Sequence, residues 1–256
     1  MNKFLLTTLL FLSVTPIGFS QTFDKKKLDT YFQVLEKNNK FMGSVALSKN
    51  GELIYTKSIG YADLEHKIKA TEKTKYRIGS ITKSFTSVLI FKAIEKKKLD
   101  LNETIDTWFP TITNSNKITI KHLLTHRSGI HNFTNNANYL QWNTQSKTEM
   151  EMIEIIQKGG SDFKPNSRAM YSNSNFVLLT FILEKTFNMS YSDLVQNQII
   201  KPLHLANTFV FGKINPKNNE AKSYHYFGSW IKEAETDFSV PLGAGAITST
   251  PTDLIK

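Results

Sequence analysis

Apolar residues return at helical intervals between Phe23 and Asn38, where Leu28, Tyr31, Phe32 and Leu35 share one face. The period then changes. Gly43–Leu47 and Glu52–Ile59 read as strands, and Asn50-Gly51 between them is the dipeptide of a tight hairpin turn. Gly60-Tyr61-Ala62-Asp63 turns the chain away from that pair. From Ser80 to about Lys98 the helical period is back, with Ile81, Phe85, Val88, Leu89, Ile90, Phe91 and Ile94 as its apolar positions. That stripe wraps more than half the circumference and predicts a helix buried in the centre of a domain. Lys96, Lys97 and Lys98 complement the dipole at its end.

Further helices are predicted over Ile118–Thr125, capped by Thr119 and stopped by Gly129, and over Glu149–Lys158 and Asn175–Phe187. Another opens at Ser190, with Asp193 three residues on, and is stopped by Pro202. There is no internal repeat and no low-complexity linker. The middle of the chain is helical and its edges are strand-like. This order predicts an α/β fold: a sheet-containing domain with a mainly helical domain inserted in it, and a site in the cleft between them. The first part of the sheet domain takes residues about 21–75 and the mostly helical region about 76–240. The remainder begins a return to the sheet.

Composition narrows the class. The 256 residues are 40% hydrophobic and 21% charged, as in a globular protein with a sizeable core. There are no cysteines, which excludes disulfides, thiolate metal sites and a lipid anchor on cysteine. Met1–Ser20 reads as a signal peptide: Lys3 precedes the apolar run Phe4–Val14, and small residues lead up to Gln21. The run is shorter than the ~20 residues that span a bilayer, so a stable transmembrane anchor is not expected. The mature chain, 21–256, is expected to be exported, periplasmic or secreted. The net charge is +10, but it comes almost entirely from scattered Lys, with only Arg77, Arg127 and Arg168 as arginines. That is a solvated lysine-rich surface, not the clustered Arg and aromatic pattern of a nucleic-acid reader.

Candidate chemistry begins with Ser-x-x-Lys, which occurs three times. Lys164 of Ser161/Lys164 precedes Pro165 and is pushed out of helical geometry, and no buried helix follows Ser229/Lys232. Ser80 and Lys83 stand at the start of the long helix, on one face. A desolvated Lys can help take a proton from a serine hydroxyl, and a helix N-terminus favours developing negative charge. A capped core helix with no chemistry is the plain alternative. Tyr171 and Asn173 precede the helix at Asn175 and can place a phenol and an amide in the same cleft. Alone, they read equally as a packed Tyr and a helix-capping Asn.

Taken together, Ser80-Ile81-Thr82-Lys83 and Tyr171-Ser172-Asn173 resemble the motifs of the serine β-lactamase and penicillin-binding-protein superfamily. The likeness is greatest to its class C β-lactamase, D-alanyl-D-alanine carboxypeptidase and esterase branch. Tyr76–Phe85 looks like that branch's nucleophile turn, Ile118–Ile130 like its hallmark between the two motifs, and Gly245–Leu254 like a late helix start. The resemblance implies an antiparallel sheet flanked by helices with an inserted helical domain, and hydrolysis through an acyl-enzyme. It makes Ser80 the nucleophile, Lys83 its proton partner, Tyr171 the general base and acid, and Asn173 a substrate-positioning residue. The implied substrate is a D-amino-acid peptide, a β-lactam or an ester, with no cofactor.

Two departures stand out. Asn166 occupies the position where the family usually has Gly after Pro165, and Asn tolerates a left-handed backbone. The family's third motif, on a late strand, has no copy here. The chain is therefore expected to be C-terminally truncated, with the last strands of the sheet missing, and to be inactive or nearly so. A non-catalytic family member is the alternative function. His122, His126 and His131 lack the Glu and the third ligand of a zinc site, so no metal is expected. Asn188-Met189-Ser190 matches a glycosylation sequon, but at a helix start it carries no weight.

Overall fold

The computed structural model describes residues 23–256, so the signal-peptide reading of 1–20 lies outside the described residues. Helix α1 (Lys25–Lys37) begins where the Asp24 carboxylate accepts the Lys27 N–H at 3.0 Å. Strands β1 (Gly43–Lys49) and β2 (Glu52–Ile59) pair antiparallel behind it. Asn50 and Gly51 between them both have positive φ, +55° and +82°, as the hairpin dipeptide requires. Phe32 of α1 packs on Tyr55 and Ile59 of β2 as a small separate cluster. A second hairpin, β3 (Tyr61–Asp63) with β4 (Ile68–Lys69), leads to β5 (Tyr76–Arg77).

The larger core is helical. It is built from α2 (Thr82–Glu95), α3 (Ile120–Leu124), α4 (Tyr139–Trp142), α5 (Glu149–Gly159), α6 (Asn173–Phe187) and α7 (Tyr191–Val195). Thr119 caps α3 as predicted, and the N3 residue of its capping box is His122, whose Nδ1 accepts the Thr119 N–H. Strands β6 (Phe209–Val210), β7 (Tyr224–Phe227), β8 (Ser229–Lys232) and β9 (Ile247–Ser249) follow, then the short helix α8 (Pro251–Leu254). β9 is the middle strand of an antiparallel sheet ordered β5-β9-β6. Its register sets Thr248 opposite Arg77, which brings the late part of the chain to the turn before Ser80. Of these strands the sequence predicts β1 and β2; β3 to β6 are two or three residues long, too short for a period to register.

Two predicted boundaries and one predicted face are corrected. Ser80 does not open the α-helix: it lies in a 3-10 turn, Gly79–Ile81, and α2 starts at Thr82. Asn173 is not on the loop but is the first residue of α6. Part of the predicted apolar stripe faces outward: Ile81, just before α2, and Val88 and Phe91 are 49%, 46% and 54% exposed, whereas Leu89 and Ile90 are buried and Phe85 and Ile94 pack on the core. Beside Leu89, Ile90 and Ala93 the helix buries the polar Thr82, Lys83 and Thr86. Neighbouring elements present hydrogen-bonding groups to that side, and these compensate the buried polar atoms. Among the described residues no helix is long and apolar enough to cross a membrane.

Candidate active site

The chain reaches Ser80 through Gly79, whose φ of +51° is a left-handed turn that residues with a Cβ seldom adopt. Ser80 stands in the first turn of helical structure, where backbone N–H groups have no intrahelical acceptor. Its Oγ lies 2.6 Å from the Tyr171 hydroxyl and accepts from Lys83 Nζ at 3.1 Å. Lys83 also donates to Asn173 Oδ1 at 2.8 Å and to the Ala244 carbonyl at 2.8 Å. The structure thus brings Ser80, Lys83, Tyr171 and Asn173 into one constellation. Ser161/Lys164 and Ser229/Lys232 are elsewhere, one pair in a loop and the other at the two ends of β8.

Three acceptors around Lys83 match the three hydrogens of an ammonium. Lys83 is only 8% exposed, and that burial lowers its pKa, while Tyr171 acts in the opposite sense. Asn173 is oriented from behind. Its N–H donates to Asn132 Oδ1 at 2.9 Å and its Nδ2 to Thr134 Oγ1 at 3.2 Å, which leaves Oδ1 for Lys83. The Ala244 carbonyl is held by a second polar layer. Thr86 donates to Gly243 O at 2.7 Å and meets the Tyr191 hydroxyl at 2.7 Å, and Gly243 N–H donates to Thr180 Oγ1 at 3.0 Å. Sequence reasoning missed Asn132, Thr134, Thr86, Thr180, Tyr191 and Ala244. One signal was available for Thr86: it follows Lys83 by three residues and so shares its helix face.

A cavity of about 570 Å³ opens beside Ser80 and Asn173, with Phe133, Tyr139, Leu140 and Phe211 among its walls. Arg77 lines it too, its guanidinium 3.8 Å from the Phe211 ring centroid and hydrogen-bonded to the Thr236 and Gly212 carbonyls. The turn before Tyr171 is secured by Asn166. Its φ is +65°, so Asn does take the left-handed backbone expected of the family's Gly, and it adds contacts: Arg127 donates to its Oδ1 at 2.8 Å and to its carbonyl at 2.7 Å.

The three histidines considered for zinc have separate tasks. His122 caps α3, His131 Nδ1 pairs with Asp162 at 2.9 Å, and His126 packs on Tyr171. Among the described residues the one metal-capable group is Asp63, Glu65 and His66, which includes none of them. Lys222 already lies 3.5 Å from Asp63 and 3.6 Å from Glu65 there.

Known proteins share this arrangement of elements. The teichoic acid D-alanine hydrolase of Staphylococcus aureus is 31% identical over 232 residues, which cover 90% of this chain and 56% of that protein. The chain thus spans little more than half the length of the curated relatives it matches. The crystal structure of a D-amino acid amidase from Ochrobactrum anthropi superposes with a TM-score of 0.77 at 26% identity, covering 90% of this chain and 69% of that one. A D-stereospecific amidohydrolase from Streptomyces gives 0.73 at 28% identity, covering 87% and 69%. The beta-lactamase family model matches residues 29–256, nearly all of the described chain, and the protein belongs to the beta-lactamase family of serine hydrolases.

Proposed function

We propose that this protein hydrolyses D-aminoacyl esters or amides through an acyl-enzyme on Ser80. The observation that carries the reading is the Ser80 hydroxyl held between the Tyr171 phenol at 2.6 Å and the Lys83 ammonium at 3.1 Å. In the reacting form Tyr171 is the phenolate paired with the Lys83 ammonium; it takes the Ser80 proton, becoming a phenol, while Ser80 Oγ attacks the substrate carbonyl. The Lys83 charge favours the anionic partner at each stage. The Ser80 N–H, at the start of a helical segment, faces the developing oxyanion. Tyr171 returns the proton to the departing alcohol or amine, and the C–O or C–N bond breaks. Water then attacks the ester on Ser80 with Tyr171 again as base. Carboxylate is released and the Ser80 hydroxyl is restored.

The D-aminoacyl preference is supported by two relatives, a teichoic acid D-alanine hydrolase and a D-amino acid amidase. It is also supported by the aromatic walls of the cavity beside Ser80, which suit an apolar portion of a small acyl donor. The reading includes export after removal of residues 1–20, supported by the Lys3 and Phe4–Val14 pattern. The test is mass spectrometry of the full chain after exposure to a fluorophosphonate probe, followed by turnover of D-alanine and L-alanine methyl esters, D-alaninamide and nitrocefin. A Ser80 adduct is expected, with turnover, however slow, favouring a D-aminoacyl donor. An adduct elsewhere, or none, would sink the assignment, and preference for L-alanine methyl ester would remove its substrate half.

A further inference from the structure

His126 packs on Tyr171 and has no task in the proton path. Its backbone is left-handed, φ +55°, a conformation that costs free energy for a residue with a Cβ. What it contacts is the segment that carries the phenol. Its carbonyl accepts the Met170 N–H at 2.9 Å. Its Nδ1 faces the Ser172 N–H at 3.2 Å and the Asn175 Nδ2 at 3.4 Å. Its ring centroid lies 4.6 Å from that of Tyr171 and 5.3 Å from that of Phe176. The His126 backbone therefore holds the residue before Tyr171, and its imidazole touches Tyr171 itself, the residue after it, and the first turn of α6.

These contacts determine its protonation. A backbone N–H only donates, so Nδ1 must be a bare acceptor, and the neutral ring carries its proton on Nε2. Asn175 is oriented to agree, because its Oδ1 receives the Ser128 hydroxyl at 2.6 Å and its amino group is left for the imidazole. An Nδ1–H would face two donors. The titratable groups around the ring are Lys83 from α2 and Tyr171 from the segment before α6. α6 offers the uncharged Asn175 and Phe176, and Arg127 of His126's own segment is turned to Asn166. Burial, then the Lys83 charge, holds the imidazole below its ordinary range.

We propose that His126 is a positioning residue for the Tyr171–Asn173 pair: as a neutral Nε2–H imidazole it anchors Ser172 and Asn175 through Nδ1 and braces the phenol against Ser80. Its effect on rate rests on the acyl-transfer reading above; its geometry does not. Protonation would place a donor against two donors and a second cation beside Lys83. The anchor would then release, and the rate would fall on the acid side.

Two measurements on the full chain test this. The first is an imidazole ¹⁵N–¹H correlation spectrum at pH ~6.5, where an exposed histidine would be about half protonated. His126 is expected as the neutral Nε2–H tautomer. A protonated or Nδ1–H ring at that pH overturns the proposal, whether or not the protein turns over substrate. The second compares Ser80 labelling rates by a fluorophosphonate across pH for wild type, His126→Asn and His126→Gln. Asn sets an oxygen near the place of Nδ1, whereas Gln carries it one bond farther. His126→Asn is expected to keep the rate within about tenfold and to lose the acid limb, and His126→Gln to fall by roughly 100-fold, as misplacement of a reacting group does. Equal losses in both, with the acid limb intact, would reduce His126 to packing. Should His126→Gln fail to fold, the tautomer and the acid limb of His126→Asn still decide. A wild-type chain unlabelled at Ser80 would count against acyl transfer and hence the rate effect, and the tautomer would still decide the anchor.

Discussion

α2 carries Lys83 one residue into the helix and α6 carries Asn173 as its first residue, but the two enter the core through different surfaces. α6 is buried on all sides from Ser174 to Leu183, mostly by apolar side chains. α2 turns Thr82, Lys83 and Thr86 inward together with Leu89, Ile90 and Ala93, and leaves Val88 and Phe91 half exposed. α6 is held by close packing, whereas α2 adds to the packing of Leu89, Ile90 and Ala93 a set of satisfied hydrogen bonds near its start: Thr82 Oγ1 accepts the Ile247 N–H at 3.1 Å, and Thr86 reaches Gly243 and Tyr191. The contrast suits their positions. A lysine that must keep three acceptors in fixed directions needs a polar lining. A helix that supplies an amide from its first residue needs only a rigid body behind it.

The comparison can be broken by mutation, and the largest effects are expected where the helices meet. Lys83→Ala and Tyr171→Phe should each lower the Ser80 acylation rate by ~10²–10⁴, the range of a proton-transfer group. The double variant should cost little more, since members of one unit are not additive. Losses that multiply would mean the two groups serve separate steps. Single-turnover labelling with a fluorophosphonate reads both.

Packing differences come next. Leu179→Ala, in the closed interior of α6, should cost about 2–5 kcal/mol in urea unfolding. Phe91→Ala, on the outward side of α2, should stay within about 1 kcal/mol. A large loss for Phe91→Ala would show that the outer face of α2 has a covering partner. Thr86→Val keeps the volume and deletes the hydroxyl between Gly243 O and Tyr191 OH, so it should cost about 1–3 kcal/mol. It should also slow acylation, because Gly243 adjoins the carbonyl that holds Lys83. A stability loss with no change in rate would separate that polar layer from the site.

The smallest expected effect is on the pH dependence of folding. Burial is the main cause that lowers the pKa of both His122 and His126. As pH falls below ~6.5 the unfolded chain takes up protons that the folded chain refuses, so stability should decline until the folded pKa values are passed. His126→Asn should remove part of that decline from thermal melts between pH 5 and 7, windows chosen around the ordinary imidazole range. An unchanged slope would place the linkage on His122.

What the sequence determined by itself was local. The Asn50-Gly51 turn, the Thr119 cap and the spacing of Ser80 to Lys83 depend on residues within one turn of each other. Such features are written in dihedral preference and short-range hydrogen bonding, and they stand in the structure where they were read. The meeting of Ser80/Lys83 with Tyr171/Asn173, about ninety residues apart, was legible only through the resemblance of both motifs to one family. The tertiary structure alone decided that α2 also turns polar residues inward. Apolar periodicity puts Leu89 and Ile90 inside but says nothing of Thr82, Lys83 and Thr86, which are buried because the opposing surface includes the Leu242–Ala244 turn and the Tyr191 hydroxyl, which demand polar partners. It alone set Ala244 under Lys83, because that contact needs β9 to pair beside β5 across 171 residues, from Arg77 to Thr248. The same holds for His126. In the sequence it was one histidine among three, and only the fold put two N–H donors on its Nδ1 and a phenol against its ring.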